Sequence, residues 1–466
     1  MNGGIPHDRD SSRIALFIAI LAGFMTPFDL SAVNIALPAI GNQFSMDAVS
    51  LSWVSTAYLL ASAVFLVPFG RLADIHGRKK IFGIGLSIFT LSSLALVFSP
   101  TSLTLIILRF AQGAGAALIF GTAVAILSSV TPPQERGRAI GIYTTAVYSG
   151  LSLGPFFGGL LTGYFGWHSI FLVNVPIGIF AIWLVVRKLQ GEWAESAGEA
   201  FDLQGSVMYG IAIISVMYGF SHLPGTGAFI LIGTGTALLG AFILWELRNT
   251  SPILNVRLLV KNRVFAFSNL AALINYSATF AVMFFLSLYL QYIRGFSPQY
   301  AGFILVIQPV VMALLSPFAG RLADRIDPGK IASAGMGLSA LSLFIFTFTT
   351  TATSLLAMIA GLIVLGFGLA LFSSPNTTQI MGSVERKYYG VASGTLGTMR
   401  LIGQTFSMGI AVIILAVTVG KVTITPDLFD EFLAGMQIAF FSFAILCLIG
   451  IGFSLVRVAS RTGDMP

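Results

Sequence analysis

The sequence predicts an all-α membrane protein with fourteen transmembrane helices, and three observations lead to this fold class. Fourteen apolar runs follow one another along the chain, and about 20 apolar residues suffice for a helix to cross the hydrocarbon core. Apolar residues make up 56% of the chain and charged residues only 9%, too few to cover a water-facing surface. Of the 25 Lys and Arg, 21 lie in the N-terminus, the even-numbered loops or the C-terminus. The positive-inside rule therefore predicts a multi-pass protein of the cytoplasmic membrane, with both termini in the cytoplasm.

The runs lack the polar face that a soluble helix carries, so each is predicted to face lipid or other transmembrane helices. The first run has no small-residue cleavage site and is interpreted as a retained helix rather than a signal peptide. The predicted spans lie at 13–38, 51–69, 81–98, 103–128, 139–163, 169–186, 203–221, 227–245, 264–293, 299–319, 331–348, 352–374, 391–419 and 433–456.

An internal repeat divides the spans into two halves. The segment from Gly70 to Asp74 recurs 250 positions later from Gly320 to Asp324, and Glu135-Arg136 recurs at the same offset. Helices 1–6 and 9–14 are therefore predicted to form two six-helix bundles, with helices 7 and 8 as an inserted hairpin. Parallel halves of this kind are typical of secondary transporters, whose substrate site lies between the halves. The predicted boundaries are 1–188 for the first bundle, 189–263 for the hairpin with its connectors, 264–456 for the second bundle, and 457–466 for a cytoplasmic tail.

Several functional classes are disfavoured by the composition. The net charge of +7 is explained by topology, so no nucleic-acid partner is expected. One cysteine, Cys447, and four scattered histidines provide no metal cluster. We find no nucleophile–base constellation and no phosphate-binding loop, so neither an enzyme nor an ATP-driven pump is expected. A receptor or scaffold would not need two repeated halves with buried charge. No cofactor is expected.

Four motifs resemble those of the major facilitator superfamily. They are the loop from Gly70 to Lys80 between helices 2 and 3, the helix 4 segment from Leu108 to Gly115, the helix 5 segment from Gly150 to Gly159, and the helix 1 segment from Asp29 to Pro38. The helix 5 segment matches an antiporter motif, and the helix 1 segment is similar to the signature of the fourteen-helix drug:proton antiporter branch, with Ser31 where Thr is usual. The resemblance covers essentially the whole chain.

The loop after helix 2 is interpreted as a conformational latch. Its acid, Asp74, follows Gly70 and Arg71 and precedes Arg78, and an anion at a neighbouring helix N-terminus would be stabilised by backbone N–H groups. The resemblance implies that this latch holds the two halves together in one conformational state, and Asp324 is the equivalent candidate in the second half. The alternative is a solvated topology determinant.

The antiporter motif comprises Gly150, Gly154, Pro155, Gly158 and Gly159. Glycines at helical spacing allow close approach of another helix, and the proline permits a bend. Static packing explains the motif adequately, while the resemblance implies control of proton leak.

Three charged side chains lie well inside the predicted spans: Asp29, Arg109 and Arg400. Such residues are costly in lipid and are functional candidates. Counting along helices 1 and 4 places Asp29 and Arg109 at similar depth, so we predict that they couple proton movement; a fixed structural ion pair is the alternative. For Arg400 the sequence shows no partner, and a structural pairing is as good an interpretation as substrate contact.

The substrate pocket is expected to be apolar and aromatic with a few polar groups. The leading hypothesis is a proton-coupled efflux transporter of amphipathic compounds, cationic ones favoured, that works by alternating access as a monomer and uses the proton gradient. The alternative is an exporter dedicated to one metabolite, peptide or lipid. The candidate pocket residues are Asn34, Tyr58, Tyr143, Asn275, Tyr276, Phe284 and Gln308.

Overall fold

The chain is described here by a computed structural model, which covers residues 9–132, 135–249, 251–254, 256–323, 325–385 and 389–463. Within these ranges the protein is helical and contains no β-strand. Thirteen helical spans are long and apolar enough to cross a membrane. They do not include the glycine-rich fifth helix, which is 30 residues long. The predicted fold class is confirmed, since these thirteen spans and the fifth helix together form two six-helix bundles and an inserted hairpin.

The N-terminal bundle consists of six helices joined by short turns. The side chain of Asp47 begins the second helix by accepting hydrogen bonds from the backbone N–H groups of Val49 and Ser50, as an N-cap residue does. The same helix ends at Gly77, whose φ of +112° suits glycine. We call the side of the molecule that carries this turn the basic face, because Arg71, Arg78, Lys79 and Lys80 surround it. The helices are α1 (Arg9–Phe44), α2 (Ala48–His76), α3 (Arg78–Val97), α4 (Ser102–Val130), α5 (Arg136–Phe165) and α6 (His168–Arg187).

The inserted hairpin consists of α7 (Leu203–Phe220) and α8 (Thr226–Arg248), followed by the short helix α9 (Val256–Lys261). Helix α7 packs against α2 and α16 (Tyr389–Thr418), where the two bundles meet. The hydroxyl of Tyr209 donates to the carbonyl of Ala63 at 2.9 Å, and Ile213 and Met217 lie beside Thr405. By contrast, α8 is mostly exposed. The hairpin therefore lies outside the bundles, along the line of contact between α2 and α16.

The C-terminal bundle has two interrupted spans where the sequence predicted continuous helices. The predicted span 264–293 is divided near Phe280 and ends in a π-helical turn, Tyr289–Ile293, and the predicted span 299–319 is divided at Val306. Pro309 explains the second break, because proline cannot donate to the carbonyl four residues earlier. The described helices are α10 (Arg263–Thr279), α11 (Ala281–Leu288), α12 (Pro298–Leu305), α13 (Ile307–Ala323), α14 (Pro328–Thr347), α15 (Leu355–Gly382), α16 and α17 (Phe429–Gly463).

The same pairing pattern occurs in both bundles. Helix α1 packs on α5 and α2 on α4, just as α10 packs on α16 and α13 on α15. Helix α3 lies against α4 and α6, just as α14 lies against α15 and α17. The bundles contact each other through α5 with α12, α2 with α16, and α1 with α11. These pairings follow the 250-residue repeat of the sequence.

Candidate functional site

A buried ion pair joins α1 to α4 in the N-terminal bundle. The Nη1 atom of Arg109 lies 2.5 Å from Oδ2 of Asp29, and both side chains are 0% exposed. The other carboxylate oxygen, Oδ1, accepts hydrogen bonds from Gln112 Nε2 at 3.1 Å and Asn174 Nδ2 at 2.8 Å. The carboxylate is thus bound by three donors, from α4 and α6.

The guanidinium of Arg109 is enclosed on several sides. Its Nε donates to the carbonyl of Val54 at 3.0 Å, and its Nη1 also donates to Gln112 Oε1. Its Cζ lies 4.5 Å from the centre of the Tyr58 ring and 5.7 Å from that of Phe171. Removal of either member of such a pair would leave an uncompensated buried charge, which is strongly destabilising. Since solvent does not reach Asp29, a cationic compound does not reach it either in this conformation.

Arg400 forms a second charged centre, at the contact between the bundles. Its Cζ lies 5.8 Å from the ring centre of Tyr148 on α5 and 5.3 Å from that of Tyr276 on α10. The Tyr148 hydroxyl is 2.6 Å from Ser373 Oγ on α15, and Tyr143 is close enough to interact electrostatically with Arg400. No ion pair of Arg400 with an acidic side chain occurs in the described part of the chain.

The candidate pocket residues separate into distinct environments. Tyr143 and Tyr276 lie beside Arg400, whereas Tyr58 belongs to the surroundings of Arg109. Asn34 is 4% exposed, with its Oδ1 bound by Ser55 and its carbonyl by Ser287. The remaining three candidates are also buried: Phe284, Asn275 and Gln308.

The cleft between the bundles is closed on the side opposite the basic face. There Ser287 Oγ donates to the carbonyl of Asn34 at 2.7 Å, and Gln291 Nε2 donates to that of Ile35 at 2.9 Å. The backbone N–H of Ala48 also reaches the carbonyl of Val422 at 3.0 Å. These hydrogen bonds seal α1 and the start of α2 against the C-terminal half.

Towards the basic face the cleft is open. Along α5, Gly141, Thr145, Tyr148 and Ser152 share one face by helical spacing. Tyr148 and Ser152 hydrogen-bond to the C-terminal half, at Ser373 Oγ and at the carbonyl of Pro309. Gly141 and Thr145 are exposed, and a Cβ atom at Gly141 would have no atom within 4 Å. The halves thus separate within about two turns of Tyr148.

The predicted latch loop is paired with the start of α3 and with the connector that follows α6. Asp74 Oδ1 accepts from Arg78 Nε at 2.8 Å, and Arg78 also forms an ion pair with Glu195 at 2.6 Å. Glu192, rather than Asp74, caps a helix N-terminus, with its carboxylate 2.8 Å from the backbone nitrogen of Lys79. The expected contact of Asp74 with backbone N–H groups at a helix N-terminus is thus replaced in this conformation by a contact with the Arg78 side chain.

Two other residues of the predicted latch contribute less. Arg71 hydrogen-bonds to Ser196 at 2.9 Å and pairs with Glu199. At Gly70 nothing packs where a side chain would be. Asp324, the candidate in the second half, lies outside the described residues.

The antiporter motif places α5 between helices of both bundles. A Cβ atom at Gly154 would lie 2.5 Å from Ser31 Cβ, and one at Gly158 would lie 2.7 Å from Ala32 Cα, both on α1. Gly150 likewise packs on Phe24, whereas a Cβ at Gly159 would lie 2.5 Å from the carbonyl oxygen of Pro298 on α12. Beside it, the carbonyl of Pro155 faces Gly302, also on α12. The glycines therefore allow α5 to approach α1 and α12 closely.

Several residues of the site were not predicted from the sequence. Gln112 and Asn174 donate to Asp29, and Tyr148 lies beside Arg400. Gln112 was detectable, because it lies one helical turn from Arg109. Asn174 was detectable as a solitary amide in an apolar helix.

A model of the Major Facilitator Superfamily matches residues 19–408 of this chain and also residues 268–464. The chain belongs to this superfamily. It is thus a multi-pass membrane transport protein. The second match lies in the C-terminal half, in accordance with the internal repeat.

Several curated transporters are similar to the chain over most of its length. The riboflavin transporter RibZ of Clostridioides difficile is 32% identical, covering 85% of this chain and 86% of its own. The multidrug resistance protein Stp of Mycobacterium tuberculosis is 32% identical, covering 90% and 79%. The cephamycin export protein CmcT of Amycolatopsis lactamdurans is 33% identical, covering 86% and 84%.

Two solved structures share the fold. One is a bacterial homologue of the human lysosomal transporter Spinster, described as inward-facing and unoccupied, with a TM-score of 0.67, 17% identity and 98% coverage of both chains. The other comes from work on proton-dependent oligopeptide transporters, with a TM-score of 0.64, 15% identity, and coverage of 97% of this chain and 99% of that one.

Proposed function

We propose that this transporter is a proton-coupled exporter of amphipathic small molecules, working by alternating access with the basic face in the cytoplasm. The observation that carries the proposal is the fully buried Asp29–Arg109 pair. Acids inside a membrane bundle are a common feature of proton pathways. The names of relatives with multidrug resistance and antibiotic export support the direction of transport.

In this mechanism Asp29 is the proton-binding group and Arg109, Gln112 and Asn174 hold its ionised form. Protonation would remove the charge that Arg109 binds and would loosen the link between α1 and α4. Because α1 also contacts α11 across the closed side of the cleft, that change reaches the contact between the two halves. Proton binding and opening of the closed side are therefore coupled. Because Asp29 is completely buried, we attribute the coupling of protons to transport to this helix contact rather than to direct competition between a proton and a cationic substrate.

The test uses purified protein in liposomes, an imposed pH gradient, and a panel of fluorescent amphipathic compounds. Wild-type protein is expected to concentrate some of them against their gradients, and Asp29→Asn is expected to abolish this. The variant is expected to fold with lower stability, because it leaves the buried charge of Arg109 without its anion, so the rates are compared at equal amounts of folded protein. Asp47→Asn is the matched control, because asparagine retains the oxygen that caps α2. Uphill transport by Asp29→Asn at the wild-type rate would remove Asp29 from the mechanism.

The second candidate, an exporter dedicated to one metabolite, is favoured by the resemblance to a riboflavin transporter. The same compound panel separates the two candidates. A single transported compound would favour the dedicated exporter, and several unrelated ones would favour the broad exporter.

A further inference from the structure

We propose that Arg400 and the tyrosines around it form an anion-binding subsite, so that the transported compounds include aromatic molecules with a carboxylate or a similar acidic group. This proposal rests on the proposed export function and names its substrate class. It gives Arg400, for which the sequence showed no partner, a direct role in binding.

The first argument is the unbalanced charge of Arg400. A guanidinium inside a membrane protein is costly unless an anion or several acceptors balance it. Arg109 is balanced by Asp29. No Asp or Glu occurs in 263–323, 328–384 or 386–426, the segments that hold α10 to α16. On α5, which supplies Tyr148, there is none after Glu135. Asp29, the acid inside the N-terminal bundle, is already bound by three donors.

The second argument is the set of unused hydrogen-bonding groups. The Nε atom of Arg400 and the hydroxyl of Tyr143 are buried and have no hydrogen-bond partner. Tyr143 is only 5% exposed. Buried polar atoms are nearly always hydrogen-bonded in folded proteins. Two donors left without acceptors near one guanidinium suit a carboxylate, which accepts hydrogen bonds and cannot donate any when ionised.

The third argument is the aromatic surroundings. The rings of Tyr148 and Tyr276 lie within 5.8 Å and 5.3 Å of the guanidinium carbon. Tyr276 also interacts electrostatically with Tyr148, and the Tyr148 hydroxyl lies 2.6 Å from Ser373 Oγ, so the cluster draws on α5, α10 and α15. Tyrosine rings offer stacking surfaces beside the charge. An aromatic acid fits this arrangement better than a small inorganic anion.

The fourth argument is position. Arg400 lies about 16 Å along α16 from Tyr389, and Tyr148 about 18 Å along α5 from Arg136. The centre is therefore near mid-depth, and it includes side chains from both halves. Above it the cleft is closed at Asn34 and Ser287, and below it Gly141 and Thr145 are exposed. A compound entering from the basic face reaches Arg400 where the halves meet.

The binding test uses two xanthene dyes that differ in one group. Rhodamine 110 carries a free carboxylate, and rhodamine 123 is its methyl ester. Binding is measured by fluorescence polarisation on the purified full chain. Wild-type protein is expected to bind rhodamine 110 more tightly than the ester. Arg400→Gln should weaken rhodamine 110 binding about 10- to 100-fold, as for a lost hydrogen bond to a charged group, and change ester binding by less than about twofold. Arg400→Lys should fall between, because lysine keeps the charge but loses the planar pair of donors.

Arg294→Gln is the matched control. Arg294 also lies beside an aromatic ring, with its Cζ 5.5 Å from the ring centre of Phe296, but its Nη1 donates to the carbonyl of Thr353 and to the hydroxyl of Tyr289. Its removal should leave the binding of both dyes unchanged. If Arg400→Gln does not purify as a folded protein, Arg400→Lys and Tyr276→Phe are used instead. The proposal then requires that these variants lower the ratio of rhodamine 110 affinity to rhodamine 123 affinity.

The proposal is overturned if wild-type protein does not bind rhodamine 110, or if the Arg400 variants weaken both dyes equally or neither. Liposome transport separates this from failure of the proposed function. If transport depends on Asp29 but the Arg400 variants do not change the preference for rhodamine 110 over its ester, only the anion subsite is refuted. Arg400-dependent binding without any response to the pH gradient would refute only proton coupling.

Discussion

At the residue scale, the carboxylate of Asp29 is defined by the three donors that surround it. Two of them are neutral amides, Gln112 and Asn174. A charge-assisted hydrogen bond to a carboxylate favours the ionised form over the protonated one. In the proposed mechanism the two amides and Arg109 together therefore influence the pH at which Asp29 would take up a proton.

We predict that Asn174→Leu moves the pH at which transport is half-maximal to higher values. The substitution keeps the approximate volume but removes the donor 2.8 Å from Asp29 Oδ1, so the ionised carboxylate is held less well and proton uptake begins at higher pH. The shift is expected to be about one pH unit or more, since hydrogen bonds to charged groups contribute about 1.5–3 kcal/mol.

The measurement is the initial rate of transport in liposomes across a pH series. Asn269→Leu is the control, because Asn269 is a buried amide on α10 whose Nδ2 donates to the carbonyl of Phe265 instead. Identical pH profiles for wild type and Asn174→Leu would show that this amide does not act on the proton-binding group.

Sequence reasoning reached the ion pair but not its surroundings. Depth along two antiparallel helices placed Asp29 and Arg109 in the same region, and the structure brings them to 2.5 Å. Depth does not specify which face of a third helix points inwards, so Asn174 on α6 could not be placed. Tyr143 and Tyr276 were candidate pocket residues, but their position beside Arg400 was not predicted and Tyr148 was missed. The reason is related, because aromatic residues are abundant on all faces of these helices.

At the scale of elements, the close packing of α5 on α1 requires glycines, which have no side chain, at the points of contact. A Cβ atom at Gly158 would lie 2.7 Å from Ala32 Cα, which is backbone and cannot move aside easily. On the same helix, Gly141 has no atom within 4 Å of that position. The two glycines differ in packing, although both lie in one helix.

We predict that Gly158→Ala lowers the thermal unfolding midpoint and that Gly141→Ala does not. Forcing extra volume into a packed contact costs about 1–3 kcal/mol, whereas alanine in an open helical position is favoured by about 1 kcal/mol over glycine. Thermal unfolding of the purified variants in detergent, followed by fluorescence, gives the comparison. Equal midpoints would mean that α1 and α5 can separate without loss of stability.

The inserted hairpin should not determine which compounds are transported. Helix α7 packs along α2 and α16 from outside the bundles, and Ile211 and Tyr218 on its other side are about half exposed. Alanine substitutions along 210–218 are expected to leave the relative transport rates of a compound panel unchanged, although some will lower expression. Photo-crosslinking of a transported compound to this segment, reduced by excess unlabelled compound, would contradict this.

The breaks within the predicted spans of the C-terminal bundle could not be predicted from hydropathy. The run 264–293 contains no charged residue, yet α10 and α11 separate near Phe280, where Ser407 Oγ accepts a hydrogen bond from the backbone nitrogen of Ala281 at 3.0 Å. A side chain from a neighbouring helix that enters the backbone ladder interrupts a helix. The lengths of the apolar runs predict how many spans there are. The breaks within a span depend on side chains of neighbouring helices, such as Ser407, which lie far away in the sequence.

At the scale of the whole molecule, the repeat defines which helices can rearrange. Helices α5 with α12 and α2 with α16 are corresponding contacts between the halves. Hydrogen bonds seal the side opposite the basic face, and the cleft is open on the basic face. Closing the basic face would require the lower parts of α5 and α16 to approach the other half.

We predict that the basic face closes and opens, and that Asp74→Asn favours the open form. In the open structure the carboxylate of Asp74 is bound only locally, by Arg78, so its removal costs little there. In the closed form we expect Asp74 to lie near a helix N-terminus of the other half, where an anion contributes up to about 1 kcal/mol, equivalent to a roughly fivefold change in the ratio of the two forms.

The measurement is the distance between spin labels at Arg138 and Tyr389, exposed residues near the starts of α5 and α16. The labels should give a long and a short distance, and Asp74→Asn should reduce the fraction of molecules with the short distance. Specific labelling requires only Cys447→Ser, since that buried residue is the single cysteine of the chain. Asp47→Asn, on the opposite side, should leave the two fractions unchanged. One distance in all variants and at every pH would show that this loop controls no opening of the basic face.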